Sequence, residues 1–399
     1  MLPGIRPIHP FPARMAPELV WDRLHRAPAR STVLDPMAGS GTTPATAQRL
    51  GHHAIAFDSD PLAVKIARAW CSSIQEFTFL QAACKVLDGA RRNISDATAL
   101  DTDEKTQAFI EFWFDHASRQ QLATLSREIH RTRGPDLRDI LWCAFSRMII
   151  TKECGVSLAM DVSHSRPHRV FKSAPVLPFD LWPKAISVIA RNKFGLARAK
   201  EMVPPAKIKQ ADARKLPLCD ESVDTVITSP PYLNAIDYLR GHRLSLVWMG
   251  YSISELRRLR KDSVGAEHGN NLDDKPEFDR AREAIVLISK SQNFARREKR
   301  MIAKYVIDLD NAIGEVARVL RPEGRAIYVV GDCNLRGQFV ENSKLVRFLM
   351  EAHRLHWVST RRRTLPANKR YLPPPCSRKA GSQLRTRMGD EVILSFRKP

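Results

Sequence analysis

The stretch from Ser31 to Thr43 constrains the fold more than any other part of the chain. Ser31-Thr32-Val33-Leu34 is a short β-rich run that enters Asp35-Pro36-Met37-Ala38-Gly39-Ser40-Gly41-Thr42-Thr43. A strand that turns this tightly into a helix needs backbone freedom, and Gly39 and Gly41 supply it because they lack Cβ. The spacing predicts a helix with Thr43 as N-cap, Pro44 at its first position and Gly51 just past its end. A second strand, Ala54-Ile55-Ala56-Phe57, ends at Asp58-Ser59-Asp60. Asp60 can cap another helix, which has Pro61 at its first position and runs to about residue 73. Strand, glycine turn, helix, strand, helix is a βαβ unit, which implies a parallel sheet covered on both faces.

The turn also has chemical content. The amides at the N-terminus of the first helix are free donors, the usual arrangement at nucleotide-type sites on the carboxyl edge of parallel strands. It is not a P-loop, which would end in Gly-Lys-Ser/Thr. Nor is it G-x-G-x-x-G, since Pro44 stands where the third glycine would be. A ligand smaller than ATP or a dinucleotide, built on adenosine, fits better. Asp58 lies 17 residues beyond Gly41, near the spacing of about 20 expected of a ribose-binding acid. An ordinary βα turn followed by a helix cap is the alternative.

Beyond the βαβ unit the pattern changes. Residues 76–205 read as a mainly helical insertion, with Glu111-Phe112-Trp113-Phe114 and residues 140–150 as helical segments and prolines and basic residues crowding 164–184. Strands resume at 208–211 and at Val223-Asp224-Thr225-Val226-Ile227-Thr228. Residues 251–304 are polar and charged, a candidate mobile or substrate-facing segment. Residues 308–320 carry a helical period. Arg321-Pro322-Glu323-Gly324 reads as a turn, Ala326-Ile327-Tyr328-Val329-Val330-Gly331 as a buried strand, 344–353 as a helix and 391–396 as a last strand. The expected division is 1–75, the insertion 76–205, and 206–399.

Charge and cysteines narrow the classes. The 399 residues hold 64 Lys and Arg against 43 Asp and Glu, a formal charge of +21. That excess points to a polyanionic partner, most simply nucleic acid. Seven cysteines, at 71, 84, 143, 154, 219, 333 and 376, form no C-x-x-C pair. This argues against a zinc ribbon or a disulfide scaffold and fits a reducing cytoplasm. No apolar run is long enough to span a membrane, and the first residues lack the apolar core of a signal peptide. No metal site is expected.

Ser229-Pro230-Pro231-Tyr232 follows the strand at 223–228. Two prolines fix the backbone and remove two donors. They leave a rigid carbonyl, a hydroxyl and an aromatic face. Such a turn can accept two hydrogen bonds from an exocyclic NH₂ while stacking the base that carries it. Two acceptors on those protons favour a pyramidal nitrogen whose lone pair is free to attack. A Pro-rich turn without chemistry is the alternative.

These residues together resemble the S-adenosylmethionine-dependent amino-methyltransferases of DNA, which make N4-methylcytosine or N6-methyladenine. The resemblance covers roughly 1–75, 206–250 and 305–399. His9-Pro10-Phe11-Pro12-Ala13-Arg14-Met15-Ala16-Pro17 is similar to the family's N-terminal cofactor motif. Residues 35–43 are similar to its glycine motif, with Met37 replacing the usual aromatic. Asp58 and Asp212 match its acidic cofactor positions, and residues 317–325 resemble the turn before the fifth strand of its sheet. Ser229-Pro230-Pro231-Tyr232 matches its catalytic motif in the Ser form, which within the family leans toward cytosine N4. The glycine motif precedes the catalytic one, unlike members with the reverse order. The resemblance implies a Rossmann-like α/β methyltransferase sheet, mostly parallel with helices on both faces and interrupted by a mainly helical insertion. It implies S-adenosyl-L-methionine as cofactor, held by Phe11, Asp35, Met37, Ala38, Gly39, Gly41, Thr42, Asp58, Ser59, Asp212 and Ala213. Ser229, Pro230, Pro231 and Tyr232 are its implied catalytic residues, acting on a base flipped from the duplex.

The implied partner is double-stranded DNA, with no membrane, a nucleoid-associated cytoplasmic location, and room for a cognate restriction endonuclease. The oligomeric state is not legible. Candidate nucleic-acid contacts are His164, Arg166 and Arg169 in a proline-rigid loop, Asn234 and Tyr238 after the catalytic turn, and Arg361, Arg362 and Arg363. The last three open a run of nine positive charges without an acid between 361 and 388. An N6-adenine enzyme, an RNA amino-methyltransferase and a non-catalytic nucleic-acid-binding protein remain as alternatives.

Overall fold

The computed structural model of the chain describes residues 6–12, 14–95, 102–152, 154–194, 204–233, 237–265, 277–289, 295–335, 338–365 and 390–399. The longer strands are β1 Thr32–Asp35, β2 His53–Asp58, β3 Lys207–Gln210, β4 Val223–Thr228, β5 Leu320–Val330, β6 His356–Thr364 and β7 Asp390–Arg397. The helices are α1 Pro17–Leu24, α2 Thr42–Arg49, α3 Pro61–Cys71, α4 Glu76–Arg92, α5 Glu104–Trp113, α6 His116–Arg131, α7 Pro135–Ile149, α8 Pro178–Lys193, α9 Tyr238–Leu246, α10 Ile253–Asp262, α11 Glu277–Ser289, α12 Arg296–Val319 and α13 Asn342–Ala352. Two short hairpins and the 3-10 turns Val162–His164 and Val247–Met249 complete the described elements.

The chain divides into two compact units. One comprises Met1–Arg30, Ala38–Gln210 and Ile236–Arg260; the other comprises Ser31–Met37, Ala211–Ala235 and Lys261–Pro399.

In the first unit β2 pairs with β3 in parallel, Ala56 opposite Ile208. Helices α2 and α3 pack on β2, and α3 also on β3. Around them α4, α6, α7 and α8 pack on one another. Aromatic pairs sit within their largely aliphatic core. Trp142 and Phe145 meet edge to face, as do Phe114 and Trp248, the geometry that ring quadrupoles favour. Trp182 is buried and its indole N–H donates to the Ala83 carbonyl at 3.1 Å, so burial leaves no orphan donor there. The stretch after residue 75 is thus mainly helical.

In the second unit five strands run in the order β6-β7-β5-β4-β1. β1, β4 and β5 are parallel, with Leu34 opposite Val226 and Ile227 opposite Ile327. β7 runs antiparallel to both β5 and β6. β1, β4 and the second half of β5 are buried almost throughout, as parallel strands covered on both faces must be. Helix α12 packs on β5, and α13 on β6 and β7. The fold is a Rossmann-like α/β arrangement, mostly parallel and flanked by helices.

Two local expectations are corrected. Helix α2 begins at Thr42 with Gly41, not Thr43, as N-cap, because Gly41 takes the left-handed φ of 88° that no Thr would adopt cheaply. Arg321–Gly324 is not a turn between elements. β5 already starts at Leu320, and the irregularity is a register shift against β4 between Val223 and Thr225, with Glu323 at φ 65°. The extra residues are absorbed as a bulge. Asp60 caps α3 as expected, its side chain accepting from the Leu62 amide at 2.8 Å. Among the described residues no helix is long and apolar enough to cross a membrane.

Candidate active site

The first unit holds the carboxyl half of the glycine turn. Gly39 has φ 51° and Gly41 φ 88°. A Cβ on Gly41 would lie 2.7 Å from the Cβ of Ala67 on α3, so the close approach of α2 to α3 leaves room only for hydrogen. A Cβ on Gly39 would lie 3.2 Å from the Phe11 ring. The Gly41 amide closes the turn onto the Ala38 carbonyl, and Ala38 N–H reaches Phe57 at the end of β2. Thr42 is buried at the start of α2, whose N-terminus has no side-chain cap.

Asp58 is built into this turn. Its Oδ2 accepts from the Gly39 amide at 2.7 Å and its Oδ1 from the Asp60 amide at 2.9 Å. Each carboxylate oxygen can accept further bonds, so Asp58 can shape the turn and still receive hydroxyls. The carbonyl of Ser59 accepts from the Gln210 side chain at 3.1 Å.

Phe11 brings the N-terminal motif over the same turn. It stacks on Tyr238, ring centroids 5.2 Å apart and planes 20° apart, and lies 5.2 Å from the His242 ring. His242 Nδ1 is 2.5 Å from Asp60 Oδ2, the residue that caps α3. Phe11, Gly39, Asp58, Tyr238 and His242 therefore form one cluster. Tyr238, expected as a nucleic-acid contact, is engaged here by Phe11. His9 is buried with its Nε2 2.9 Å from Ser146 Oγ. Burial, together with the positive charges of Arg147, His242 and Arg14, holds its pKa well below the ordinary 6.5.

The second unit holds the start of the glycine turn and the Ser-Pro-Pro-Tyr turn. Asp35, at the end of β1, is buried. Its Oδ1 accepts from the Thr228 hydroxyl at 2.7 Å and from the Met37 amide at 3.2 Å. Thr228 is the last residue of β4, so the strand pair aligns the two turns' entry points. Burial, then the charge of Asp35, pushes the Tyr328 phenol far up.

Ser229-Pro230-Pro231-Tyr232 follows directly. Ser229 Oγ and Tyr232 Oη are 3.3 Å apart. The Pro231 carbonyl accepts from the Tyr305 hydroxyl of α12 at 2.9 Å. Tyr305 is 1% exposed, so that hydrogen bond is made away from water and anchors the turn to the helix. Leu233, the next residue, accepts from the Cys333 thiol at 3.1 Å. Burial pushes that thiol up to about 11, which keeps it protonated as a donor.

Ala213 is buried, and Asp212 is engaged by a neighbour. Arg214 grips its carboxylate with Nε and Nη2 at 2.6 to 3.1 Å and donates Nη1 to Asp308 Oδ1 at 2.6 Å. Burial works to raise the Asp212 pKa, but the hydrogen bonds and charge of Arg214 prevail and hold the carboxyl low. In the first unit His164, Arg166 and Arg169 lie on a loop with exposed side chains at 164, 166, 168 and 169. On β6, Arg361 and Arg362 are exposed and Arg363 meets Glu391 at 3.5 Å. Asn234 and the rest of the basic run, 366–388, lie outside the described residues.

The reading of the sequence missed Tyr305, His242, Thr228 and Arg214. Thr228 carried a signal, since it abuts Ser229 on a buried strand. Tyr305 is 74 residues from Pro231 and His242 is 182 from Asp60, distances at which local pattern says nothing.

No family model matches the chain. It is 22% identical over 425 aligned positions to the Type II methyltransferase M.MvaI of Kocuria varians, covering 98% of this chain and 90% of that protein. It is 25% identical over 272 positions to the Type II methyltransferase M.BsoBI of Geobacillus stearothermophilus, covering 58% of this chain and 49% of that protein. Among solved structures, an S-adenosylmethionine-dependent methyltransferase of Methanosarcina mazei is 9% identical, covering 93% of this chain and 94% of that one, with a TM-score of 0.33. The resemblance carried by the motifs is thus borne out at the level of the whole chain, which is similar to a Type II methyltransferase from end to end.

Proposed function

We propose that this chain is an S-adenosylmethionine-dependent DNA methyltransferase that modifies the exocyclic amine of a flipped base, cytosine N4 in particular. The observation that carries the reading is the Ser229-Pro230-Pro231-Tyr232 turn, held from behind by Tyr305.

The residues present fit the cofactor. Its adenosine needs an aromatic neighbour and an acceptor for two ribose hydroxyls; the Phe11–Tyr238 stack and Asp58 offer these. Its amino-acid end carries a carboxylate, which suits the uncapped N-terminus of α2. The turn must stay free of Cβ at Gly39 and Gly41 to keep its shape. When bound, S-adenosylmethionine supplies a methyl carbon already bonded to positive sulfur, so its transfer releases a neutral thioether.

The chain's own residues prepare the amine. Ser229 Oγ and the Pro230 carbonyl accept hydrogen bonds from its two N–H groups, and Tyr232 stacks on the base. Holding the amine this way localises its lone pair and fixes its direction, which is catalysis by positioning and electrostatics. Methylation leaves the nitrogen with one proton too many, and Ser229 stands where that proton can be passed to water. The Ser form of the motif favours cytosine N4 over adenine N6 by family pattern. The helical stretch after residue 75, with its exposed 164–169 loop, is the part proposed to read the target sequence.

Incubation of varied duplex DNA with labelled cofactor, followed by nucleoside mass analysis, is expected to yield N4-methylcytosine. N6-methyladenine would overturn the base assignment, and label on RNA alone would overturn the DNA assignment. Ser229→Ala and Tyr232→Ala are each expected to lower transfer by ~10²–10³ with cofactor affinity nearly intact. Loss of cofactor binding instead would mean that the turn is misassigned.

A further inference from the structure

In the chain, α9 starts six residues after Tyr232. Arg240 and Arg243 stand three residues apart on α9, and Arg257 and Arg260 three apart on α10, so each pair shares one helix face. Asp237, the N-cap of α9, meets Arg240 at 3.5 Å and Arg260 at 2.6 Å. Arg243 Nε is buried with no hydrogen-bond partner among the described residues.

Arg243 is held instead on an aromatic face, its guanidinium 5.1 Å from the centroid of the Phe109 ring. One turn along α5, Phe112 carries Arg169 in the same way at 5.3 Å. Arg169 belongs to the exposed loop that is tied to the start of α9. There the Ser165 hydroxyl accepts from the Gly241 amide at 3.1 Å and donates to the Tyr238 carbonyl at 3.1 Å. Gly241 permits the approach, since a Cβ there would lie 2.6 Å from the Val162 carbonyl. The aromatic pair on α5 thus joins the loop arginine to those of α9 and α10.

A solvated charged face would spread its guanidiniums and hydrate them separately. Here two of them meet one acid, and Arg243 feels the like charges of Arg260, Arg240 and Arg257. Burial, then the charge of Arg260, depresses the Arg243 pKa. Concentrating like charge this way is unfavourable until anions arrive. Guanidiniums held over rings lose little side-chain freedom on binding and present forked donors that match phosphate oxygens. We propose that Arg169, Arg243, Arg240, Arg260 and Arg257 form a track for the phosphodiester backbone, the ligand being, on the reading above, that of the DNA substrate.

The experiment is duplex DNA binding followed by fluorescence anisotropy across a salt series. Compared are the wild-type chain, the Arg243→Gln/Arg257→Gln double variant, and a Lys85→Gln/Arg91→Gln control with equal charge loss on the exposed face of α4. Loss of two phosphate contacts should flatten the plot of log Kd against log salt by about 1.8, with the control unchanged and cofactor affinity retained in all three. An unchanged slope in the double variant, or an equal loss in the control, overturns the track. Should Arg243→Gln impair folding, seen as lost cofactor binding, Arg257→Gln alone is expected to flatten the slope by about 0.9; no change in that folded variant overturns the proposal equally. Absence of methyl transfer by the wild-type chain would count against the enzymatic reading and leaves this binding slope as a separate result.

Discussion

The glycine turn and the Ser-Pro-Pro-Tyr turn both follow a parallel strand, and they reach a fixed shape by opposite means. Around Gly39 and Gly41 the backbone is intrinsically loose, and the surroundings freeze it. Asp58 grips the Gly39 amide, and Ala67 lies so near Gly41 that any Cβ collides. Around Pro230 and Pro231 the backbone is stiff by covalent structure, and one hydrogen bond from Tyr305 suffices to orient it. A turn that offers amide donors to a ligand cannot be made of proline. A turn that offers a bare carbonyl is best made of it. The chemistry asked of each turn selects its residues.

This contrast yields tests in descending size. Gly41→Ala should be the most damaging, since a left-handed φ and a 2.7 Å collision act together. The combined cost is about 2–5 kcal/mol, read as a fall in Tm with loss of cofactor affinity. A neutral outcome would mean that the glycine turn is not frozen by its neighbours. Next is Tyr305→Phe. The Pro231 carbonyl would lose its partner in a buried setting, at ~1–3 kcal/mol. With the prolines intact, kcat should drop roughly tenfold while cofactor affinity holds. If cofactor affinity falls instead, Tyr305 serves general folding rather than the turn.

The smallest effect is on pH. His9, beneath the glycine side, has a folded pKa below its ordinary 6.5. The unfolded chain therefore binds more protons in the window just below 6.5, and stability is present above that window and lost as pH falls through it. The buried groups behind the Ser-Pro-Pro-Tyr turn behave differently. Tyr305 and Cys333 are both pushed up by burial and stay neutral across the same window. Thermal unfolding should thus soften below about pH 6.5, and His9→Gln should flatten that dependence, whereas Tyr305→Phe should leave it in place. An unaltered slope in His9→Gln would assign the titration to another group.

Much was legible in the residues because it was local. The βαβ start, the caps at Asp60 and Pro61, and the strand into Ser229 each follow from neighbours a few positions apart. Local reading erred where a local rule met a tertiary one. Thr43 is a good cap, yet Gly41 caps α2 because α3 comes too near for any side chain. Pro322 and Gly324 look like a turn, yet pairing with β4 and β7 carries the strand through them as a bulge.

The sequence alone determined the parallel-sheet architecture, the two turns and their order, because periodicity, proline, glycine and capping act over a few residues. It also determined the excess of positive charge, though not its arrangement. Only the tertiary structure decided that Tyr305 backs the Pro231 carbonyl, that His242 meets Asp60, and that Phe109 and Phe112 carry Arg243 and Arg169. Each of these contacts joins residues far apart in the chain. Nothing in the local pattern selects one partner among the many tyrosines, histidines or arginines available. Packing does, since each buried polar group or crowded charge must find a partner where the fold has brought one.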